Sequence, residues 1–130
     1  MTDSIFTKII KGELPAYKIY EDEKVLAILD INPLSNGHTL LIPKVQIDKI
    51  YDLQKDDYES LMSAMKKLSL HMEKVLGVRI GFVVEGLQVP HAHIHLVPLY
   101  DYDVLRLHHG YPVKSSDSDL LLIASSLRLN

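Results

Sequence analysis

The stretch Val89-Pro90-His91-Ala92-His93-Ile94-His95-Leu96-Val97-Pro98 constrains this chain most, because histidine alternates with Ala, Ile and Leu between two prolines. Alternation with a period of two is the pattern of a strand with one face against a core and the other turned to something polar. Val89 and Pro90 lead into the run and Pro98 closes it, as expected where a ladder loses its donors. Same-face neighbours on a strand lie roughly 6.5 to 7 Å apart at Cα, so adjacent imidazoles can address one small anion or one metal ion together. Three readings follow: polar residues on the wet face of a strand, a metal site, or phosphate chemistry with neutral imidazole as nucleophile. Zinc normally recruits a third or fourth ligand, often Cys or a carboxylate. The chain has no Cys, and the nearest acids, Glu85 and Asp101, lie outside the run.

The rest of the chain bounds the setting. Its 130 residues make one domain, large enough to bury about two-thirds of the surface of the unfolded chain. A net charge of −3 gives no basic stripe for a nucleic acid polymer. No apolar segment is long enough to serve as a signal peptide or to span a membrane, so a cytoplasmic protein with no membrane partner is expected. There is no internal repeat or low-complexity tract.

From the start of the chain, Ser4 to Gly12 carries a short helical pattern with Asp3 or Ser4 as N-cap candidates, and Ile5, Phe6 and Ile9 fall on one side of it. Residues 16–21 and 25–30 read as a hairpin around the acidic turn Glu21-Asp22-Glu23-Lys24. Asp30 ends an apolar strand, where a carboxylate either caps a turn or faces a ligand. Asn32-Pro33 and Asn36-Gly37 then deliver the chain to a third strand, with His38 at its entrance. After a connector over 45–54, Tyr58, Leu61, Met62, Met65, Leu68, Met72, Val75 and Leu76 form an apolar stripe at helical spacing, ended by Gly77. A fourth strand, 78–84, precedes the histidine strand. Tyr100 to Val113, including His108-His109, reads as surface loop. A last helix over 119–128 presents Leu120, Ile123, Ala124 and Leu127 on one face. Consecutive strands joined by tight turns predict an α+β fold: an antiparallel five-stranded sheet with a short N-terminal helix, a long central helix and a C-terminal helix. Its open edge invites symmetric pairing, hence a homodimer.

Four motifs in order, Ser4-Ile5-Phe6-x-Lys8-Ile9-Ile10-x-Gly12-Glu13-x-Pro15, Asp30-Ile31-Asn32-Pro33, Gly37-His38-x-Leu40-x-Ile42-Pro43-Lys44 and His91-x-His93-x-His95, resemble the histidine triad (HIT) superfamily, closest to its Hint-like branch. The resemblance spans about Ser4 to Pro98. It divides the chain into a HIT domain, 1–98, and a C-terminal extension, 99–130, whose short helix packs on the same domain or on a dimer partner.

What the resemblance implies is a nucleotide hydrolase or transferase acting at the α-phosphate of a purine nucleotide, a nucleoside phosphoramidate or a dinucleoside polyphosphate, through a covalent nucleotidyl-histidine and without a cofactor. His93 matches the nucleophile, His95 the donor to phosphoryl oxygens, and His91 and His38 the residues that orient and polarise the site. Ile5, Phe6, Ile9, Ile28 and Ile31 match the wall of the base pocket, and Asp30 the carboxylate that takes the ribose hydroxyls. Gln88 falls where relatives place a Ser, Thr or similar residue that touches the phosphate or leaving group. Relatives with structural zinc carry Cys at the positions of Ser4 and Thr7, so no such zinc is expected, and the segment before the triad is shorter here. A nucleotide-binding scaffold with weak catalysis and a metal-dependent hydrolase are the alternatives.

Overall fold

In the computed structural model, which describes residues 2–102, 104 and 116–128, the expected α+β architecture is present. Helix α1 (Ile5–Ile10) precedes β1 (Lys18–Glu21), β2 (Val25–Leu29) and β3 (Thr39–Pro43). A 3-10 turn at Ile50–Asp52 leads into α2 (Lys55–Leu76), followed by β4 (Ile80–Val83), β5 (Ile94–Pro98) and α3 (Asp117–Leu127). The strands form one antiparallel sheet in the order β1-β2-β3-β5-β4. His108-His109, and most of the stretch read as surface loop, lie outside the described residues.

Both faces of the sheet are used, and the strand alternation sorts the residues between them. Val25, Ala27, Leu41, Ile94 and Leu96 pack under α2 against Leu61, Ala64, Leu68 and Met72. Leu26, Ile28, Leu40 and Ile42 point the other way, toward Phe6 and Ile9 of α1. The stripe on α2 is narrower than its sequence pattern, since Tyr58 is 43% and Val75 66% exposed. Gly77 ends α2 in the left-handed region at φ 74° and donates its N–H to the Glu73 carbonyl, as a C-terminal glycine does.

The histidine run departs from its expected bounds. Only His95 lies on a strand, because β5 starts at Ile94. The β3–β5 register pairs Leu41 with Ile94. Its continuation sets Ala92 opposite Pro43, a residue with no N–H to give. The Ala92 N–H turns instead to the Ile47 carbonyl at 2.7 Å. His91 and His93 therefore sit on a lead-in outside the strand, and neither is on a wet face: both are buried.

Leu61 is fully buried at the centre of the α2 face, so Leu61→Ala is expected to lower unfolding free energy by about 2–5 kcal/mol in urea titrations, against less than about 0.5 kcal/mol for Val75→Ala. Equal losses from the two variants would contradict the packing described.

Candidate active site

The second face of the sheet does not close completely. Between α1, the ends of β2 and β3 and the segment before β5 lies a cavity of about 480 Å³, within the usual range for small-molecule sites. Ile5, Phe6, Ile9 and Ile28 form its apolar wall, and Asp30, Ile31 and Gln88 stand on its border with His93 and His95. Ile31 and Gln88 are exposed, and Ile5 is half exposed, so these three form the open rim. Phe6 is buried and sets its ring edge-on to His93, 4.9 Å between centroids, and to His91, 5.7 Å. Sequence reasoning did not single out Leu14, Leu40 or Val89, which also line the cavity. His91 and His38, by contrast, stand behind the lining.

The partners of each ring fix its tautomer. His93 Nδ1 lies 2.7 Å from the His91 carbonyl; a carbonyl only accepts, so Nδ1 carries the hydrogen and Nε2 keeps its lone pair. His38 Nδ1 accepts the Leu34 backbone N–H at 3.0 Å. Nε2 of His38 must then be the protonated nitrogen, and it donates to His95 Nδ1 at 2.9 Å. His95 is left with its hydrogen on Nε2. One ring bordering the cavity thus offers a lone pair and its neighbour, 5.0 Å away between centroids, offers a donor.

The carboxylate of Asp30 accepts the Asn32 backbone N–H through Oδ1 at 2.8 Å, while Oδ2 stands 3.6 Å from His38 Nε2. Asp30 thus both caps its turn and borders the cavity. Gly37, at φ 93°, makes the approach to His38 possible, since a Cβ there would also meet the Leu76 side chain at 2.9 Å.

Burial disfavours the charged form of His95 and His91. It pushes His95 from its ordinary 6.5 down to about 4, helped by His93 and His38 and opposed by Asp30 and Glu85. His91 is also lowered, first by burial and then by His93, against its bond to the Pro43 carbonyl. Donor atoms of Asp30, His38 and His95 lie within 4.8 Å of one another, close enough to consider a metal. Ligation through His38 Nε2 needs a lone pair there, however, and the Leu34 N–H bond puts a hydrogen on that atom. The hydrogen-bond pattern favours the two rings as a donor chain over a metal pair.

Sequence reasoning missed the residues behind His91. Its Nε2–H donates to the Pro43 carbonyl at 2.8 Å, and its Nδ1 lies 2.6 Å from Ser4 Oγ. Ser4 carried the signal of an N-cap, and it is one, accepting the Thr7 N–H at 3.0 Å. Nothing local tied it to a residue 87 positions away.

A histidine pair bordering an apolar cavity, on one face of a five-stranded antiparallel sheet, defines a candidate small-molecule site. The profile of the HIT domain family matches residues 11–102. The chain belongs to the HIT family. It is 40% identical over 124 residues to an uncharacterized HIT-like protein of Methanocaldococcus jannaschii, covering 91% of this chain and 95% of that one. It is 35% identical over 131 residues to the adenosine 5'-monophosphoramidase HNT1 of Candida albicans, covering 90% and 83%. A crystal structure of a HIT family member from Bacillus subtilis superposes with a TM-score of 0.79 at 32% identity, over 97% of this chain and 95% of that one.

Because the folded pKa of His95 lies below its unfolded value, the unfolded chain binds the extra proton between about pH 6.5 and 4. Stability should therefore rise with pH across that window and level off on either side. The urea midpoint is expected to fall from pH 7 to pH 5, and to fall less in His95→Gln. Identical slopes for the two proteins would remove His95 as a source of the effect.

Proposed function

We propose that this chain is a nucleotide hydrolase that cleaves a purine nucleoside phosphoramidate, or less readily a dinucleoside polyphosphate, at the α-phosphate through a nucleotidyl-His93 intermediate. The observation that carries the reading is the bond from His93 Nδ1–H to the His91 carbonyl, which leaves Nε2 as a lone pair on a ring bordering the cavity.

In this mechanism the Nε2 lone pair of His93 forms a bond to phosphorus as the bond to the leaving nitrogen breaks. The leaving amine takes a proton from solvent. The ring, now cationic, keeps its Nδ1–H on the His91 carbonyl, which steadies the charge. His95 Nε2–H donates to the phosphoryl oxygens, and its Nδ1 stays oriented by His38. Water then attacks phosphorus, releasing a proton to solvent, the N–P bond breaks, and nucleoside monophosphate leaves with His93 neutral again. Gln88 on the rim is assigned to the phosphate or leaving group. The apolar wall from Ile5 to Ile31 takes the base, and Asp30 takes the two ribose hydroxyls, a pair of donors that suits two carboxylate oxygens. The phosphoramidase activity named for the Candida albicans relative supports the amide as the substrate to try first.

We assign the assembly as a homodimer formed through β4. Within the described sheet β4 has a neighbour on one side alone. Phe82, Val84 and Leu70 are exposed beside it, and an antiparallel strand edge pairs with itself about a twofold axis. Ser69 Oγ, on the same groove, is buried without a hydrogen-bond partner. The apolar side chains of α3, including Leu120, Leu121 and Leu122, are exposed as well, and the partner protomer is the surface we assign to them.

With adenosine 5'-phosphoramidate, His93→Ala is expected to lose roughly a thousandfold or more in kcat/KM while its circular dichroism stays native. Rapid quenching of the native protein should yield an adenylylated species by mass spectrometry, absent in His93→Ala. Turnover by the variant at the native rate would refute the assignment. For the dimer, Phe82→Glu should sediment as a monomer where the native chain sediments at twice that mass; a native monomer would refute the interface.

A further inference from the structure

Because β5 begins at Ile94, no ladder holds the peptide of His91, although the His91 carbonyl is what fixes His93. The Ala92 N–H of that same peptide is held by the Ile47 carbonyl at 2.7 Å, and the second anchor is the His91 side chain. Both ring nitrogens of His91 are bonded inside the protein, Nε2–H to Pro43 and Nδ1 to Ser4, and the residue has no exposed surface. Since Nε2 carries the hydrogen, Nδ1 accepts, and the single hydroxyl proton of Ser4 goes to it.

Ser4 is held in turn. Its backbone N–H donates to Gln46 Oε1 at 2.8 Å, and Thr7 Oγ1 donates to the same oxygen at 2.6 Å. Gln46 Nε2 meets the Thr2 carbonyl at 2.8 Å, so the amide has only one orientation that satisfies both ends. Every donor in this cluster faces an acceptor.

We propose that Ser4, braced by Thr7 and Gln46, is a positioning residue for the reaction: through His91 it sets the carbonyl that aims His93. This rests on the reading of His93 as nucleophile. Ser4 does not border the cavity, yet it caps the helix whose Ile5, Phe6 and Ile9 do. One hydroxyl therefore ties the base-pocket wall to the reacting ring. It accepts from α1 and donates to His91, and the two roles are separable. Aspartate caps a helix as well as serine does but has no proton to give.

The test compares Ser4→Asp, Ser4→Ala and Ser4→Thr with the native chain. It measures turnover of adenosine 5'-phosphoramidate, ring ¹⁵N spectra and circular dichroism. Loss of the buried donor should lower kcat roughly tenfold in Ser4→Asp and Ser4→Ala. KM should stay within about twofold. The ring signals of His91 and His93 should shift in both variants. Ser4→Thr, which keeps hydroxyl and cap, should retain native ring signals and native kcat. A Ser4→Asp protein with native kcat and native ring signals would overturn the proposal, as would a rise in KM alone. A native spectrum with the His91 hydrogen on Nδ1 would overturn it without any variant. Should the native chain show no turnover of the amide, the nucleotide hydrolase reading fails, and the ring spectra still decide whether Ser4 orders His91 and His93.

Discussion

The register between β3 and β5 governs this molecule. With Leu40 opposite His95 and Leu41 opposite Ile94, the odd and even positions of both strands divide cleanly between the α2 core and the cavity. A slip of one residue would turn His95 into the aliphatic layer beneath Leu61 and Leu68, and send Ile94 and Leu96 toward the cavity. Two costs would add, an unpartnered imidazole in hydrocarbon and apolar side chains returned to water. The core thereby enforces the placement of the histidine on β5. Packing energy and site geometry are fixed by one alignment.

Pro43 gives that alignment its limit. Lacking an N–H, it cannot extend the ladder to Ala92, and its carbonyl is free to accept His91 Nε2–H. The lead-in leaves the sheet at that point, so the three histidines are placed by three different devices. His95 is set by the strand, His93 by a bond to the backbone two residues back, and His91 by contacts across the fold. This spreading explains how alternation in sequence becomes three unlike environments in space.

Much of this was legible from residue order, and the limits of legibility are physical. Strands, turns and the long helix announce themselves through local periodicity, which is why β2, β3, α2 and the stop at Gly77 fall near their expected bounds. The start of β5 did not, because the lost pairing depends on what stands opposite Ala92, and that is known only once two strands are aligned. Ser4 could be read as a cap since capping is decided within three residues. Its bond to His91 could not, nor the part played by Gln46, which looked like connector. The Leu34 N–H that sets the His38 tautomer is a backbone group and leaves no trace in residue identity at all.

Four histidines, three of them buried (His38, His91 and His93), would burden a fold of this size were they charged or unpaired. Burial disfavours charge on His91 and His95, and each of the four has a ring nitrogen anchored: His91 and His93 to carbonyls, His38 to an N–H, His95 to His38. That solution to the stability problem is also what the proposed chemistry asks for. A neutral ring with its hydrogen held on one nitrogen has its lone pair fixed on the other, ready without any prior proton transfer. Burial lowers the proton affinity of His95 while the carbonyl on His93 Nδ1 favours the positive ring that forms on attack. The two neighbours are set to different tasks by surroundings a few ångströms apart, and in the proposed chemistry a donor and a nucleophile emerge from the same side chain. The difference lies in what each Nδ1 meets, a carbonyl or another imidazole.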